Sequence, residues 1–315
     1  MSRNFIHNNA INNRPKVLVI LGTTSAGKTG LAVKLALKFQ GEIVSADSRQ
    51  VYQGMDIGTG KDLAEYKIGR HRIPYHLIDI ASPKSQFDLA KYQKLAFKTI
   101  DDILRRKKLP VVVGGSGLYL QALVDNYDLS GVRAVSANRS RWEKMSAARL
   151  FFLVAKKKPE FAARLNNSDS NNPRRLARYL EIIEAEGLDK VGKRESRYDF
   201  LLLGLTQPDK VLRFRITQRL LERLEAGLIG EVKHLNDIGV SWDRLQAFGL
   251  EYKFVSRYLL GELSYQELVD KLGIALHRFS KRQQTWFRRW EKQRAKINWI
   301  KDQGGAEKKI NKWLS

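Results

Sequence analysis

Eight consecutive residues, GTTSAGKT at positions 22–29, match the phosphate-binding pattern G-x-x-x-x-G-K-[ST]. The glycines let successive backbone N–H groups point at one anion, and the start of the following helix adds partial positive charge. In this pattern the lysine reaches terminal phosphate oxygens, and the last hydroxyl is placed to bind Mg²⁺. The sequence therefore predicts a di- or triphosphate site without saying which bond is broken. The residues of this predicted site are Gly22, Thr23, Thr24, Ser25, Ala26, Gly27, Lys28 and Thr29, with Thr29 as the metal ligand.

Two further polar side chains follow short apolar runs. Asp47 ends the run EIVSAD, and Ser116 follows the run PVVVGG. A carboxylate in such a position can act as a general base or hold Mg²⁺ through water, whereas its structural alternative is an Asp that caps the next turn. The Ser116 hydroxyl can donate a hydrogen bond to a phosphate or a nucleobase. A Gly-rich stretch at 54–62, which contains Lys61, indicates by itself only a turn.

The apolar runs alternate with helical patterns, and this alternation predicts how the polar groups are positioned. KVLVILG, EIVSAD, HLIDI (76–80) and PVVVGG are predicted strands, and a helix is predicted over 89–108. The fold is therefore predicted as α/β, a parallel sheet flanked by helices of the phosphate-loop NTPase type, with its site at the carboxyl ends of the strands. We expect a core of residues 14–125 and 196–315 and a helical insertion domain at 126–195. Within the insertion a helix is predicted across 142–165. FLLLGLT (200–206) is a further predicted strand, and the chain after it is predicted to be helical.

Composition and charge narrow the class of protein. Lys and Arg number 57 against 33 Asp and Glu, a net charge of +24, and from residue 271 to the end there are 13 basic and 3 acidic residues. This excess indicates a polyanionic partner, although a plain solvated basic surface is the alternative. The absence of Cys excludes disulfides, thiolate catalysis and Cys-based zinc sites. No run approaches the ~18–20 apolar residues of a membrane span, and the polar, Asn-rich start lacks a secretory signal, so we expect a cytoplasmic protein.

Five stretches occur in the order found in the tRNA dimethylallyltransferases, also called tRNA isopentenyltransferases. They are GTTSAGKT, SADSRQVYQGMDIGTGKD, VVVGGSGLYL, NNPRRLARYLEII and KRQQTWFRRW, and the resemblance extends from about residue 16 to about residue 300. GLEYK (249–253) also resembles the family loop that precedes the last of these stretches. The chain departs from the family at Thr23 and Asp62, where Pro is common, and at Ser116, where Thr is common. It resembles the bacterial type, since the zinc-finger extension of eukaryotic members is missing.

The resemblance implies transfer of a dimethylallyl group from dimethylallyl diphosphate to N6 of the adenine immediately 3′ of the tRNA anticodon, with release of diphosphate. The target base must leave its stack to reach the pocket. The implied catalytic residues are Asp47 as general base, Lys28, Ser116 and an arginine that faces the diphosphate. The resemblance places that arginine at Arg215, and Arg213 and Arg219 remain alternatives. Mg²⁺ is the implied cofactor, and a monomer is the simplest oligomeric state.

The resemblance also implies a set of tRNA-binding residues in three segments. Arg174 and Arg178 lie one turn apart on a helix that Asn172 and Pro173 are predicted to start, so both point the same way. For Trp286 and Trp290, core packing is favoured over stacking on a base. The full set is Asp47, Ser48, Arg49, Gln50, Arg174, Arg175, Arg178, Lys281, Arg282, Gln283, Trp286 and Arg288.

Three other functions share some of these features. A phosphate-loop kinase that phosphorylates a small molecule or nucleotide explains the loop, Asp47 and the α/β order, but not the arginine-rich insertion helix or the basic C-terminal helix. An isopentenyltransferase that acts on free adenine nucleotides needs no extended RNA-binding surface. A non-catalytic RNA-binding protein that uses the loop as a nucleotide switch has no need of Asp47 beside the loop.

Overall fold

A computed structural model describes residues 14–129, 138–142, 144–185 and 192–315. The Asn-rich start, where no secretory signal is predicted, lies outside the described residues, as does part of the turn-rich stretch after residue 126. The chain divides into two compact units, one formed by the residues up to Val124 together with Ser196–Ser315, the other by Asp125–Glu195. Within the described part of the chain, no helix combines the length and apolar character needed to cross a bilayer.

Six of the strands in the described residues form one sheet in which every neighbouring pair is parallel. Its order is β5-β2-β6-β1-β7-β8, and β3 and β4 form a separate antiparallel pair. This architecture confirms the predicted α/β fold with a parallel sheet flanked by helices. The strands are β1 (Lys16–Leu21), β2 (Gly41–Ser45), β3 (Lys67–Ile68), β4 (His71–Arg72), β5 (Tyr75–His76), β6 (Leu109–Gly114), β7 (Asp199–Leu205) and β8 (Ile297–Ile300).

The helices cover both faces of the sheet and make up most of the chain after β7. A short 3₁₀ helix, Leu63–Tyr66, precedes β3. The α-helices are α1 (Lys28–Lys38), α2 (Leu89–Arg105), α3 (Gly117–Val124), α4 (Arg139–Trp142), α5 (Ala147–Lys157), α6 (Pro159–Ala163), α7 (Asn167–Ser170), α8 (Pro173–Glu184), α9 (Asp209–Glu225), α10 (Leu228–Asp237), α11 (Trp242–Phe248), α12 (Leu250–Leu259), α13 (Tyr265–Lys292) and α14 (Gln303–Leu314).

Alternate residues of the central strands build two apolar layers. Leu18 and Ile20 of β1 face one layer, and Val17 and Val19 face the other. Side chains of a strand alternate between the two faces of the sheet, and a strand covered on both faces is apolar throughout. This burial explains why KVLVIL has no polar alternation and marks a central strand.

The 28-residue helix α13 joins the sheet to the helical part of the same unit. Ser264 and Glu267 form a reciprocal capping box at its start. Leu268 and Leu272, in its first half, pack in the helical cluster, whereas Phe287 and Trp290 pack against the sheet. At 1.5 Å per residue the helix is about 42 Å long, so one rigid element links both parts of the core.

The insertion unit has a core of its own. Leu150 and Val154 of α5 pack with Leu176 and Leu180 of α8. Asn172 caps α8 through its side chain, which accepts from the Arg175 N–H, and a proline follows at the first helical position, as predicted.

Three elements differ from the sequence-based predictions. The strand predicted at 76–80 ends at His76, because Leu77 and Asp79 have φ angles of 62° and 55°, outside the extended region. The helix predicted across 142–165 is interrupted at Lys158, since the residue before a proline is disfavoured in helical geometry. Strand β8 lies where only helix was predicted; its four residues pair with the edge of β7.

Substitutions at two glycines would test how tightly the sheet is packed where β6 ends. A Cβ built at Gly114, the last residue of β6, would lie 2.2 Å from the carbonyl oxygen of Ala46, whereas one at Gly273 in α13 meets only Leu220 at an ordinary 3.7 Å. We expect Gly114→Ala to lower the free energy of unfolding by about 1–3 kcal/mol through overpacking. Gly273→Ala is the matched control and should raise it by up to about 1 kcal/mol through helix propensity. Denaturant unfolding measures both, and equal effects would contradict the tight packing at Gly114.

Candidate active site

Four adjacent strands, β2, β6, β1 and β7, end at the same edge of the sheet. Leu21, the last residue of β1, pairs with Gly114 of β6 and Gly204 of β7, and Ser45 of β2 pairs with Val113. The segments that follow these strands therefore meet at this edge. This is the edge at which parallel α/β sheets bind ligands.

The phosphate loop, residues 22–29, joins β1 to α1. Gly27 has φ +88° and caps α1 with no side-chain hydrogen bond, so the first N–H groups of the helix have no side-chain acceptor. Gly22 has φ +155°, and a Cβ there would lie 2.6 Å from the carbonyl oxygen of Leu205. Both positions require glycine, since a side chain would be strained at Gly27 and would also clash at Gly22. The loop can therefore present backbone N–H groups and a helix start to an anion.

Lys28 folds back onto this loop. Its Nζ donates to the carbonyl oxygen of Thr23, and the side chain is half-buried. Burial lowers the pKa of Lys28 to about 8, an effect opposed by the negative charge of Asp47 and reinforced by the positive charge of Arg219. A group whose charge is disfavoured in this way gains most from a neighbouring anion.

Asp47 and Ser116 lie on neighbouring segments, after β2 and β6. Asp47 Oδ1 accepts from the Arg49 N–H at 2.8 Å, and the Ser116 hydroxyl accepts from the Ser48 N–H at 3.1 Å. Gly115, beside Ser116, lies next to Lys28, because a Cβ built there would be 3.7 Å from the Lys28 Nζ. The bond to Arg49 is the local turn that an Asp favours, and it fixes the carboxylate at the edge of the sheet.

Gln50, expected to contact tRNA, has both ends of its amide engaged within the protein. Its Oε1 accepts from the Ser45 hydroxyl at 3.1 Å, and its Nε2 donates to the Gly60 carbonyl oxygen at 3.3 Å. The adjacent Arg49 reaches a different segment, with its Nε 3.6 Å from the Cβ position of Gly249. The segment 47–50 is thus held in place on several sides.

The three candidate arginines of α9 have different surroundings. An Nη of Arg215 lies 3.9 Å from the Cβ position of Gly27, so the guanidinium reaches the phosphate loop. Arg219 lies beside Gly60, and burial together with the charge of Arg223 lowers its pKa. Arg213 lines a small pocket between α9 and α13 instead. The positions of Arg215 and Arg219, but not that of Arg213, suit a diphosphate on the loop.

The Gly-rich segment 54–62 is more than a turn. Glu231 of α10 accepts hydrogen bonds from three successive backbone N–H groups, those of Asp56, Ile57 and Gly58, at 2.6–3.0 Å. The Tyr252 hydroxyl donates to the same carboxylate at 2.7 Å. Three hydrogen bonds from the segment, to a carboxylate that a fourth bond fixes, hold the segment in a single geometry.

Two further ion pairs secure this segment. Lys61 is buried and pairs with Asp56 at 2.6 Å and with Asp79, and it also donates to the Tyr52 carbonyl oxygen. Asp62, which stands where the family commonly has Pro, caps the 3₁₀ helix by accepting from the Ala64 N–H. The departure at Asp62 therefore keeps a defined structural role.

Gln283 of α13 joins two of the loops. Its Oε1 accepts from the Thr24 N–H in the phosphate loop at 2.8 Å, and its Nε2 donates to the Gly115 carbonyl oxygen at 2.9 Å. The side chain is 9% exposed. In this structure the amide is a bridge between the phosphate loop and the segment before Ser116, rather than an exposed polar group.

The remaining predicted residues of α13 divide between the core and the surface. Trp290 is 1% exposed and lies in the core, which confirms core packing for this side chain. Trp286 is half-buried against Gly117, and its buried Nε1 has no hydrogen-bond partner among the described residues. The residues with exposed side chains are Lys281, Arg282 and Arg288.

The three arginines of the insertion unit that are predicted to bind tRNA lie in the first half of α8. Arg174 is exposed, Arg175 is paired with Asp169 at 2.5 Å, and Arg178 donates to Glu181 at 2.9 Å. Their side chains are at least partly accessible, so they can contact a phosphate backbone.

Sequence reasoning missed Glu231, Arg223, Glu251 and Tyr252 as residues that shape the site. Arg223 pairs with Glu251 at 2.8 Å and reaches the Gly58 carbonyl oxygen at 3.4 Å. Glu251 and Tyr252 belong to the stretch GLEYK that resembles a family loop, and this was a usable signal. Glu231 is one of two acids in an amphipathic helix, so nothing in its local sequence separates it from a surface residue.

Comparison with known proteins agrees with this geometry. Residues 50–290 match the family model described as IPP transferase. The chain is 46% identical over 288 residues to tRNA dimethylallyltransferase 1 of Syntrophus aciditrophicus, covering 90% of this chain and 93% of that protein. It is 43% identical over 289 residues to the tRNA dimethylallyltransferase of Treponema pallidum, covering 90% of each.

Comparison with solved structures indicates the same family. The full-length tRNA isopentenylpyrophosphate transferase of Bacillus halodurans superposes with a TM-score of 0.69 at 36% identity and 96% coverage of both chains. A eukaryotic dimethylallyltransferase that acts on tRNA gives a TM-score of 0.69 at 26% identity, covering 86% of this chain and 69% of that one. The predicted resemblance is confirmed: this chain is a member of the tRNA dimethylallyltransferase family, of bacterial type.

Proposed function

We propose that this protein transfers a dimethylallyl group from dimethylallyl diphosphate to N6 of the adenine immediately 3′ of a tRNA anticodon, with release of diphosphate. The observation that carries the proposal is the convergence, at one edge of the sheet, of the phosphate loop, the Asp47 carboxylate and Arg215. Membership of the family supports tRNA as the acceptor. A phosphate site alone would also suit a kinase, so the acceptor has to be tested directly.

The chemistry assigns one role to each group. The N6 nitrogen forms a bond to C1 of the allyl group, the bond from C1 to the bridging diphosphate oxygen breaks, and the amine proton passes to Asp47. Because the allylic carbon develops positive charge, the main requirement is to stabilise the departing diphosphate. We propose that the loop N–H groups, Lys28 and Arg215 do so; in support, Arg215 reaches the loop, and the charge of Arg219 acts on Lys28. We propose that the Ser116 hydroxyl, which accepts from the Ser48 N–H, orients the incoming base.

Mg²⁺ fits the donor set of this edge. Thr29, the second residue of α1, carries a hydroxyl beside the loop. Mg²⁺ prefers oxygen ligands, with one or two from the protein and the rest from phosphate and water. We propose that Thr29 holds the ion, which, when bound, would neutralise charge on the diphosphate. The described residues contain no group of three or more His, Cys, Asp or Glu side chains that could form a metal cage.

We also propose which residues contact tRNA, and the exposure of their side chains supports some of them more than others. The exposed groups Lys281, Arg282, Arg288 and Arg174 are available for phosphate contacts. Gln50 and Gln283 have their amides bound within the protein, so we propose that they position loops rather than contact the RNA.

One assay tests the acceptor and the base together. With labelled dimethylallyl diphosphate, Mg²⁺ and a transcript carrying adenine 3′ of the anticodon, we expect label in the RNA. Asp47→Asn should lower turnover about 10²–10⁴-fold, because the amide cannot accept the amine proton, while tRNA still binds. Asp243→Asn, an exposed acid on α11, is the matched control and should leave turnover unchanged.

The molecule that carries the label distinguishes the proposed function from the alternative functions. Label in free AMP instead of RNA would indicate an isopentenyltransferase of free nucleotides, and phosphoryl transfer from ATP would indicate a kinase. Unchanged turnover in Asp47→Asn would remove Asp47 as the base while leaving the reaction intact.

The affinity for dimethylallyl diphosphate should depend on the protonation of Lys28. The pKa of Lys28 is about 8 in the free protein, and bound phosphate should raise it by favouring the ammonium. Below pH 8 the group is already charged, so the affinity is constant. Above pH 8 binding must first protonate it, and Kd should rise by up to tenfold per pH unit until the raised pKa is reached. Calorimetry between pH 7 and 9.5 measures this.

Two variants control the pH experiment. Lys28→Arg stays charged throughout, and Lys28→Met stays neutral, so both should give a flat profile above pH 8, with about 10–100-fold weaker binding for Lys28→Met. A wild-type profile as flat as that of Lys28→Arg would show that Lys28 is already charged in this range.

Gln283 should act on diphosphate use rather than on tRNA affinity. In Gln283→Met the Thr24 N–H and the Gly115 carbonyl oxygen both lose their partner, so the two loops lose their common anchor. We expect kcat/KM for dimethylallyl diphosphate to fall about tenfold while Kd for tRNA is unchanged. Gln266→Met, at a solvent-facing position of the same helix, is the control and should change neither. A loss of tRNA affinity with normal diphosphate use would instead make Gln283 an RNA contact.

A further inference from the structure

A small pocket lies between α9 and α13, apart from the phosphate loop. It has a volume of about 30 Å³, room for more than one water-sized group. Asp209, Arg213 and Ile216 of α9 and His277, Ser280 and Lys281 of α13 contribute to its lining. None of the catalytic residues proposed above lines it.

Two residues that line this pocket each have a buried polar atom with no hydrogen-bond partner among the described residues. These atoms are the hydroxyl of Ser280, a residue only 3% exposed, and the Nδ1 of His277. The other ring nitrogen of His277, Nε2, lies 3.2 Å from the Thr217 hydroxyl, which orients the ring. An unpaired buried polar group costs free energy, so two of them in one pocket indicate an absent occupant.

The charges around the pocket indicate that this occupant is an anion rather than water alone. Arg213 and Lys281 have exposed side chains and form no ion pair within the described part of the chain. Asp209 is the one carboxylate of the lining, which leaves a net charge of +1 with His277 neutral. Burial, reinforced by the charge of Arg213, lowers the pKa of His277, and an anion there would reverse that effect.

The pocket is also on the side of the molecule where RNA is expected. Helix α9 starts after β7, at the edge of the sheet that carries the phosphate loop. On α13, Ser280 and Lys281 come directly before the exposed Arg282 and the bridging Gln283. An RNA strand that delivers a base to this edge therefore passes within reach of α9 and α13.

We propose that the pocket formed by Arg213, His277, Ser280 and Lys281 binds one backbone phosphate of the tRNA. Ser280 and His277 Nδ1 donate hydrogen bonds to the phosphate oxygens, and the two cations neutralise its charge. Naming tRNA as the source of this phosphate rests on the proposed function. The contact fixes the position of the strand and reads no base, as phosphate contacts do.

Methylphosphonate scanning tests the proposal with the full-length protein. A set of anticodon stem-loop RNAs carries one neutral methylphosphonate linkage each, and their Kd values are measured in chloride buffer. One linkage should weaken binding to wild type about tenfold. In Arg213→Gln and in Ser280→Ala, binding of the unmodified RNA should already be weaker, and that same linkage should have no further effect. The slope of log Kd against log salt should also fall by about 0.7–1 in Arg213→Gln.

Lys308→Gln, which removes one exposed charge from α14, is the matched control and should keep both the affinity and the sensitive linkage. Unchanged binding in both pocket variants would mean that the pocket holds only water and would overturn the proposal. So would an effect of the variants on the binding of inorganic diphosphate without an effect on RNA.

The same experiment separates this inference from the proposed function. If wild type transfers label to RNA but no linkage couples to the pocket, only the phosphate site is wrong. If a linkage couples to Arg213 while no label reaches RNA, the phosphate site stands and the proposed reaction is wrong.

Discussion

One side-chain amide, that of Gln283, holds the candidate site together. The phosphate loop follows β1, and the segment before Ser116 follows β6, so the sheet alone brings their starting points together but does not set their spacing. Gln283 accepts from one loop and donates to the other, in a buried position where both bonds are strengthened. Because it lies on α13, the same contact fixes the long basic helix against the active edge. The positions of the two loops and of that helix therefore depend on each other.

The phosphate loop is surrounded by several positively charged side chains. Lys28 has a lowered pKa because it is buried near Arg219, and Arg215 reaches the same loop. Such an arrangement is unfavourable in the free protein and favourable once an anion is bound, which is how a preorganised site stabilises charge that develops in a reaction. The segment 54–62 is held by a negative group whose hydrogen bonds are satisfied within the protein. Glu231 accepts four hydrogen bonds and keeps the segment that contains Gly60 rigid.

Much of the fold and of the site could be predicted from local patterns, for reasons that differ among residues. The phosphate loop is encoded by contiguous residues, so its eight positions are visible in the sequence. The central strands are predictable because they are buried on both faces and read as continuous apolar runs. The predicted strand at 76–80 was wrong beyond His76, since an apolar run cannot show that Leu77 and Asp79 adopt positive φ. Strand β8 was missed because four residues are too few for a pattern.

By itself, the sequence determined the chemistry that the protein carries: the phosphate loop with Lys28 and Thr29, the carboxylate at Asp47, the basic C-terminal helix, and the family that these motifs share. Only the tertiary structure decided which of three neighbouring arginines reaches the loop and that Gln283 faces inward to bridge two loops. It also decided that Glu231, 173 residues from Gly58, secures the segment beside the site. The reason is physical: residue type and spacing are local, whereas contacts across many residues depend on how helices pack on the sheet.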